Sequence, residues 1–315
     1  MHGHDTLTNT ATRRLAATLR HRVALPMGVI AVVIFAAGAA RAQDTPQTIV
    51  FVGNSFTYGA YSPVWKYRAQ SVTDLNGGGY GGVPALFKLF TQESGLDYTV
   101  SLETSPSKTF QWHWDNRQAV LDRAWDHVVM QGYSTLDPQK PGDPASTIEY
   151  TRRLAAMFVA RNPKVEISLT ATWSRPDLTY LPTGHWYGQP IAHMALDIRH
   201  GYDLAAQTSP AIDRVHPVGQ AFTCAITGGI AVANPYEGVP FGKVDLWTWD
   251  HYHASAQGYY LEALVIFADV TGKDPRTLGA GETAANELGI ASADAARLQS
   301  VAHDAVTDPA CGKGT

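Results

Sequence analysis

Short β-rich runs recur along this chain with helical stretches between them, and that alternation decides its architecture. The run Thr48-Ile49-Val50-Phe51-Val52 is almost wholly apolar and stops at Gly53. His127-Val128-Val129-Met130-Gln131 has the same character and stops at Gly132. Tyr98 to Leu102, Val165 to Thr172 and Val215 to Val218 read as three further strands. Strands that are apolar along their whole length, rather than at alternate positions, are covered on both faces. Helical spacing fills the intervals: Val83 to Ser94, closed by Gly95; Asn116 to Ala124; Pro144 to Ala160, stopped by Asn162-Pro163; Ile191 to Thr208; and Ala256 to Thr271, ended by Gly272. Two weaker helical stretches finish the chain. The pattern predicts a three-layer α/β/α domain around a parallel sheet of about five strands. Such sheets bind ligands at the C-terminal ends of their strands. Gly53-Asn54-Ser55-Phe56-Thr57 and Gln131-Gly132-Tyr133-Ser134 stand at two of those ends.

The first residues read differently. Arg13, Arg14, Arg20 and Arg22 precede an apolar run from Val23 to Ala40, and Ala40-Arg41-Ala42 has the small residues of a cleavage site. Together they predict a secretory signal peptide over 1–42, cut near Ala42, and a protein exported to the periplasm or beyond. An uncleaved anchor is the competing reading, because the apolar run approaches the lower limit of about 17–25 residues for a span. Glycine and alanine dilute its second half, so no stable membrane insertion is expected after cleavage. Residues 43–315 then form one domain with a C-terminal helical tail. A net charge of −4 without long single-sign runs argues against nucleic acid as a partner. The two cysteines, Cys224 and Cys311, can pair in an oxidising compartment or remain two thiols. A bridge across so long a loop would stabilise by about 4–5 kcal/mol in the chain-entropy model. The oligomeric state is not legible.

Two segments carry residues suited to chemistry. Ser55 follows the first buried strand directly, where its hydroxyl meets the ligand-binding edge and its own N–H can face a developing oxyanion. The plainer reading is a turn or helix cap. A serine hydroxyl is a weak nucleophile at neutral pH and needs a base. Asp250-His251-Tyr252-His253, just before the long helix from Ala256, offers one: His253 takes the proton through Nε2 while Asp250 holds Nδ1–H. His251 competes for that role, but it adjoins Asp250 and its ring tends to point away. Here too a loop with a helix cap at Ser255 is the plainer reading.

Gly53-Asn54-Ser55-Phe56-Thr57 and the late Asp-x-x-His together resemble the GDSL/SGNH hydrolase superfamily, in its branch opening with Gly-Asn-Ser-Phe-Thr. Pro217-Val218-Gly219-Gln220-Ala221-Phe222, His253-Ala254-Ser255, Gly258-Tyr259-Tyr260-Leu261 and Thr271-Gly272-Lys273-Asp274-Pro275 extend the match from about Thr48 to Pro275. The resemblance implies an SGNH/flavodoxin-like fold and a serine esterase with Ser55, Asp250 and His253 as its triad. It also implies an oxyanion hole from the N–H of Ser55, a glycine N–H (Gly82, with Gly81 next) and a side chain after the third strand. That side chain is Gln131 here, where the family has asparagine; Asn54 replaces the usual aspartate. Asn54 and Trp249 are the expected substrate-side contacts. No cofactor or metal is implied.

Other classes fit less well. Gly77-x-Gly79-x-x-Gly82 matches a dinucleotide fingerprint by letter but follows no convincing strand. No phosphate-binding Gly-x-x-x-x-Gly-Lys-Ser/Thr and no Gly-x-Ser-x-Gly elbow occurs. A metal-dependent phosphoesterase would have to use Asp250, His251 and His253 with His185, His193 or His200. A carbohydrate-binding protein without useful turnover would use Trp112, Trp114, Trp247 or Trp249. The expected substrate is a small-molecule or carbohydrate ester, such as an O-acetylated sugar.

Overall fold

The chain builds one sheet flanked by helices in the computed structural model, which describes residues 46–312. The signal-peptide reading of 1–42 lies outside those residues. In chain order the elements are β1 (Gln47–Gly53), β2 (Thr73–Asp74), α1 (Gly82–Glu93), β3 (Tyr98–Thr104), α2 (Phe110–Leu121), β4 (His127–Met130), α3 (Ala145–Arg161) and β5 (Glu166–Thr170). They continue with α4 (Pro176–Thr179), α5 (Ala192–Ala206), β6 (Ile212–His216), α6 (Val218–Thr227), α7 (Ala256–Thr271), α8 (Thr283–Glu287) and α9 (Ser292–Thr307). The sheet order is β2-β3-β1-β4-β5-β6, and every pairing is parallel.

β1 lies between β3 and β4, and its alternation divides the core. Ile49 and Phe51 face one apolar cluster, with Leu86 and Phe90 of α1 and Leu264 of α7. Val50 and Val52 face the other, with Phe110 of α2, Leu154 of α3 and Ile198 of α5. Burying each such side chain contributes about 1.5–3 kcal/mol. The α/β/α layering therefore follows from strands that are apolar on both faces. Among the described residues no helix is long and apolar enough to cross a membrane.

Three boundaries differ from the sequence reading. β2 adds a sixth strand of two residues, too short to show periodicity. α2 starts at Phe110 rather than Asn116, because the Thr109 side chain accepts from Trp112 N–H and caps the helix there. The strand expected over Val215 to Val218 ends at His216, and Val218 opens α6. Apolar runs this short do not distinguish a buried strand from a buried helix, and Pro217 marks the change.

α7 matches its expected span. Ser255 Oγ accepts from Gly258 N–H at 3.2 Å, and Gly272, at φ 66°, ends the helix. The helix is buried on all sides from Gly258 to Ala268, including Glu262. Burial pushes Glu262 well above the usual carboxylate range, and its Oε2 has no hydrogen-bond partner. The folded state therefore holds a proton that the unfolded chain releases near pH 4.3. Stability falls as pH rises from there toward the folded pKa, by about 1.4 kcal/mol per pH unit. Glu262→Gln is expected to raise Tm more at pH 8 than at pH 5. Equal shifts at the two pH values in thermal melts would contradict this.

Cys224 of α6 and Cys311 form a disulfide with their Cα atoms 5.3 Å apart. It ties the segment after α9 back to α6, where a Cβ on Gly312 would lie 2.4 Å from Gln220 O. The double variant Cys224→Ser/Cys311→Ser is expected to lose about 2–5 kcal/mol, or roughly 5–15 °C in Tm. An unchanged melting curve would show that the bridge constrains nothing.

Candidate active site

The chain leaves β1 through a turn that only glycine can enter. A Cβ on Gly53 would lie 2.0 Å from Thr57 Oγ1. The backbone then coils: Thr57 N–H and Tyr58 N–H donate to Asn54 O at 3.0 and 3.1 Å, and Ala60 N–H donates to Ser55 O at 3.0 Å. Asn54, expected on the substrate side, is buried and ties strand ends together. Its Oδ1 accepts from Phe56 N–H at 3.1 Å, and its Nδ2 donates to Gly132 O at 2.9 Å and Lys108 O at 3.1 Å. The loops after β1, β3 and β4 thus meet on one side chain. Ser55 sits inside this coil, 6 % exposed. Tyr259 of α7 donates its hydroxyl to Ser55 O at 3.2 Å.

The second loop is organised by Asp250. Its Oδ1 accepts from Tyr252 N–H at 3.0 Å and His253 N–H at 2.9 Å, and its Oδ2 lies 2.6 Å from His253 Nδ1. Burial works against ionisation of Asp250, but the His253 ring and the two backbone N–H groups outweigh it and hold the carboxyl below its ordinary range. A carboxylate on Nδ1 leaves Nε2 as the acceptor nitrogen. That Nε2 is buried and has no hydrogen-bond partner among the described residues. His251, at φ 52°, turns away, with its ring 4.1 Å from that of Tyr236.

Aromatic rings bring the two loops together. Phe56 stacks on Trp173 at 4.3 Å, and its ring lies 5.5 Å from that of His253. The Tyr61 ring lies 4.9 Å from His253, and Thr248 Oγ1 donates to Tyr61 O at 3.2 Å. Tyr252 packs on His253 at 4.2 Å and carries the Arg175 guanidinium 3.5 Å above its ring. Arg175 in turn pairs with Asp177 at 2.6 Å and donates to Ser134 Oγ at 3.2 Å. No sequence signal marks Tyr61, Arg175 or Tyr252 as part of the site. Nor did it single out the loop before α2, where Ser105 N–H donates to Gly53 O and Ser107 has φ 60°.

The remaining expected residues are distributed as follows. Gln131 is buried, and its Oε1 accepts from Asn54 N–H at 3.2 Å and Thr57 Oγ1 at 3.0 Å while its Nε2 donates to Gly132 O. Gly82, at φ 63°, opens α1 against the coil, where a Cβ would lie 2.6 Å from Thr57 O. Gly81 N–H is spent on Trp65 O at 3.0 Å, whereas Gly82 N–H has no hydrogen-bond partner among the described residues. Trp247 is buried and donates to Ser174 O at 3.0 Å, but Trp249 is 73 % exposed. Among the described residues no three His, Cys, Asp or Glu side chains gather as a metal site.

A second Ser-His-Asp arrangement lies elsewhere. His216 Nε2 is 2.8 Å from Ser168 Oγ, and His216 Nδ1 is 2.7 Å from Asp269 Oδ2. Ser168 is in the middle of β5, buried, with its hydroxyl also 3.3 Å from Val128 O. A cleft of about 570 Å³ is lined by Asp269 and Arg214, but Ser168 and His216 are not part of its wall. Ser168 lies inside the sheet, in the β5–β6 ladder beside a register shift, and not at a strand end where such sheets bind ligands. This trio joins β5, β6 and α7.

No family model matches the chain, and no curated protein matches it in sequence. Solved structures match it in fold. A DUF4886 family protein from Bacteroides uniformis superposes with a TM-score of 0.60 at 18 % identity, covering 86 % of this chain and 98 % of the other. A candidate GDSL-like lipase from Parabacteroides merdae superposes with a TM-score of 0.50 at 16 % identity, covering 72 % and 95 %. The chain shares its three-layer α/β/α fold with both. Counting the longer strands, its order of second, first, third, fourth and fifth is the flavodoxin-like order, with β1 and β4 neighbours at the edge where Ser55 emerges.

Proposed function

We propose that this chain is an exported serine esterase in which Ser55, His253 and Asp250 act as a triad on carboxylic esters. The observation that carries the proposal is the state of His253. Its Nδ1 is held by Asp250, while its buried Nε2 has no partner, in a loop packed against the coil that bears Ser55. An unpartnered buried acceptor is costly in a finished core; His113, held by Glu103, shares that state, but of the two rings it is His253 that packs on Phe56 beside Ser55. His253 removes the proton from Ser55 as its Oγ attacks the ester carbonyl. Asp250 stabilises the imidazolium without taking the proton. The alcohol leaves with the proton from His253, and water enters by the same route to release the acid.

The oxyanion is assigned to the N–H groups of Ser55 and Gly82, with Gln131 third. Two donors fix Gln131 Oε1, which orients Nε2 and leaves one of its two hydrogens beyond the bond to Gly132 O. Gln131→Ala is expected to lower kcat roughly 10²–10³-fold if that hydrogen reaches the oxyanion. A loss in Tm with kcat intact would restrict Gln131 to bracing the coil.

Export after cleavage near Ala42 agrees with the disulfide, since such bridges persist in oxidising compartments. Acylated carbohydrates are the proposed substrate class, with Trp249 as a stacking face. The candidate GDSL-like lipase of the same fold is consistent with ester chemistry. The test is hydrolysis of p-nitrophenyl acetate and longer acyl esters by residues 43–315, with and without a chelator. Chelator-resistant turnover is expected. Turnover abolished by the chelator and restored by a metal ion would favour the phosphoesterase reading, and sugar binding without turnover would favour a binding protein.

A further inference from the structure

The large apolar and aromatic side chains exposed among the described residues are not scattered. All lie on the three segments that bear Ser55, Arg175 and His253. Leu181 and Tyr187 stand between β5 and α5, and Tyr236, Val239 and Phe241 between α6 and α7. Tyr61 and Trp249 complete the set, with their ring centroids 5.6 Å apart. Contacts join the segments: Tyr180 donates its hydroxyl to Ala233 O at 3.1 Å, and Asp177 N–H donates to His251 O at 3.3 Å. The same stretches are almost free of charge. Residues 54–65 and 178–196 hold no Asp, Glu, Lys or Arg, and 225–242 hold Glu237 alone, although 17 % of the chain is charged.

Phe241 is the extreme case, being wholly exposed. Its loop is closed at the base by the bridge between Ala231 and Val244 and by Arg297, which donates to Gly242 O at 3.1 Å. Gly238 and Gly242, at φ 88° and 81°, flank Val239-Pro240-Phe241. A Cβ on either glycine would meet nothing within 4 Å, so the tip stands clear of the body. Exposed apolar groups gathered in one place mark an interaction surface.

We propose that these loops dock on the surface of a phospholipid bilayer, with Val239 and Phe241 inserted among the acyl chains and Tyr61, Tyr187 and Trp249 at the headgroup level. The docking goes beyond the esterase reading and does not depend on it. Tyrosine and tryptophan favour the headgroup level because each has an apolar body and a polar tip. Binding of this kind grows with the apolar area buried, and charges there would have to leave water at a cost. A second copy of the chain is the competing occupant. It would have to offer an apolar pocket to Phe241, whereas the clefts of this chain have charged walls, as at Arg199 and Asp203 or at Glu93 and Lys273.

Cosedimentation of residues 43–315 with phosphatidylcholine vesicles tests the proposal. Binding is expected, and it should persist in about 0.5 M NaCl because it does not rest on charge. Phe241→Ser, checked by circular dichroism, is expected to lower the partition coefficient roughly tenfold or more, since a phenyl ring no longer leaves water. Phe241→Ser/Val239→Ser should abolish binding. Neither variant should change kcat/KM for p-nitrophenyl acetate in solution. Ser55→Ala should bind as the wild type does, which separates docking from the esterase reading. A wild type that stays off the vesicles overturns the proposal, as does binding that salt abolishes or that Phe241→Ser leaves intact. A dimer that Phe241→Ser dissociates in sedimentation velocity would assign the tip to a second copy, and a fall in turnover of the soluble ester would assign it to a lid. Either result also overturns the proposal.

Discussion

Ser55→Ala is expected to lower kcat for p-nitrophenyl acetate by roughly 10⁴–10⁶-fold, with little change in Tm. Ser55 directly follows β1 at the ligand-binding edge of the sheet, beside the loop of His253. Ser55 sits in a coil fixed from several directions, by Asn54, Tyr259 and the turn at Gly53, so removing its Oγ leaves that scaffold in place. Residual rate would come from the oxyanion donors and binding alone. Ser168→Ala is the control. Ser168 also contacts a histidine paired with an aspartate, but from mid-strand and without access. It is expected to reduce stability and spare kcat. The opposite pattern would move the active site to β5.

His253→Ala is expected to cost about as much as Ser55→Ala, because members of one triad act as a unit. His251→Ala should cost far less, within about tenfold. Two positions separate these residues, yet Asp250 decides between them. Its Oδ2 meets His253 Nδ1 at 2.6 Å, while the His251 ring lies on Tyr236. A ring without an orienting carboxylate has no fixed tautomer, and so is a poor base even when close. Steady-state kinetics of the two variants decide the matter. If His251→Ala proved the more damaging, His251 would be the base.

The sequence carried the parts of this molecule that depend on burial along one element. β1, β4 and α7 are covered on all sides and read as continuous apolar runs. The i, i+3 spacing of Asp250 and His253 was legible because it is local: the aspartate accepts from the N–H groups two and three residues on and curls the loop back on itself. What depends on distant strand ends was not legible. Asn54 reads as a substrate contact and Gln131 as an oxyanion donor, and the hydrogen bonds that tie each to residues 54–78 positions away or to its own turn have no local signal. The trio Ser168, His216 and Asp269 spans separations of 48 and 53 residues, and nothing local announces it. The place of Tyr61 was equally hidden, since its partners Thr248 and His253 belong to another loop.

The most direct test is covalent. A fluorophosphonate incubated with the protein reacts only with an activated serine, and peptide mass mapping locates the adduct. One adduct per chain is expected, on Ser55, absent from Ser55→Ala and formed far more slowly in His253→Ala. An adduct on another serine, or none from a protein that hydrolyses esters, would contradict it.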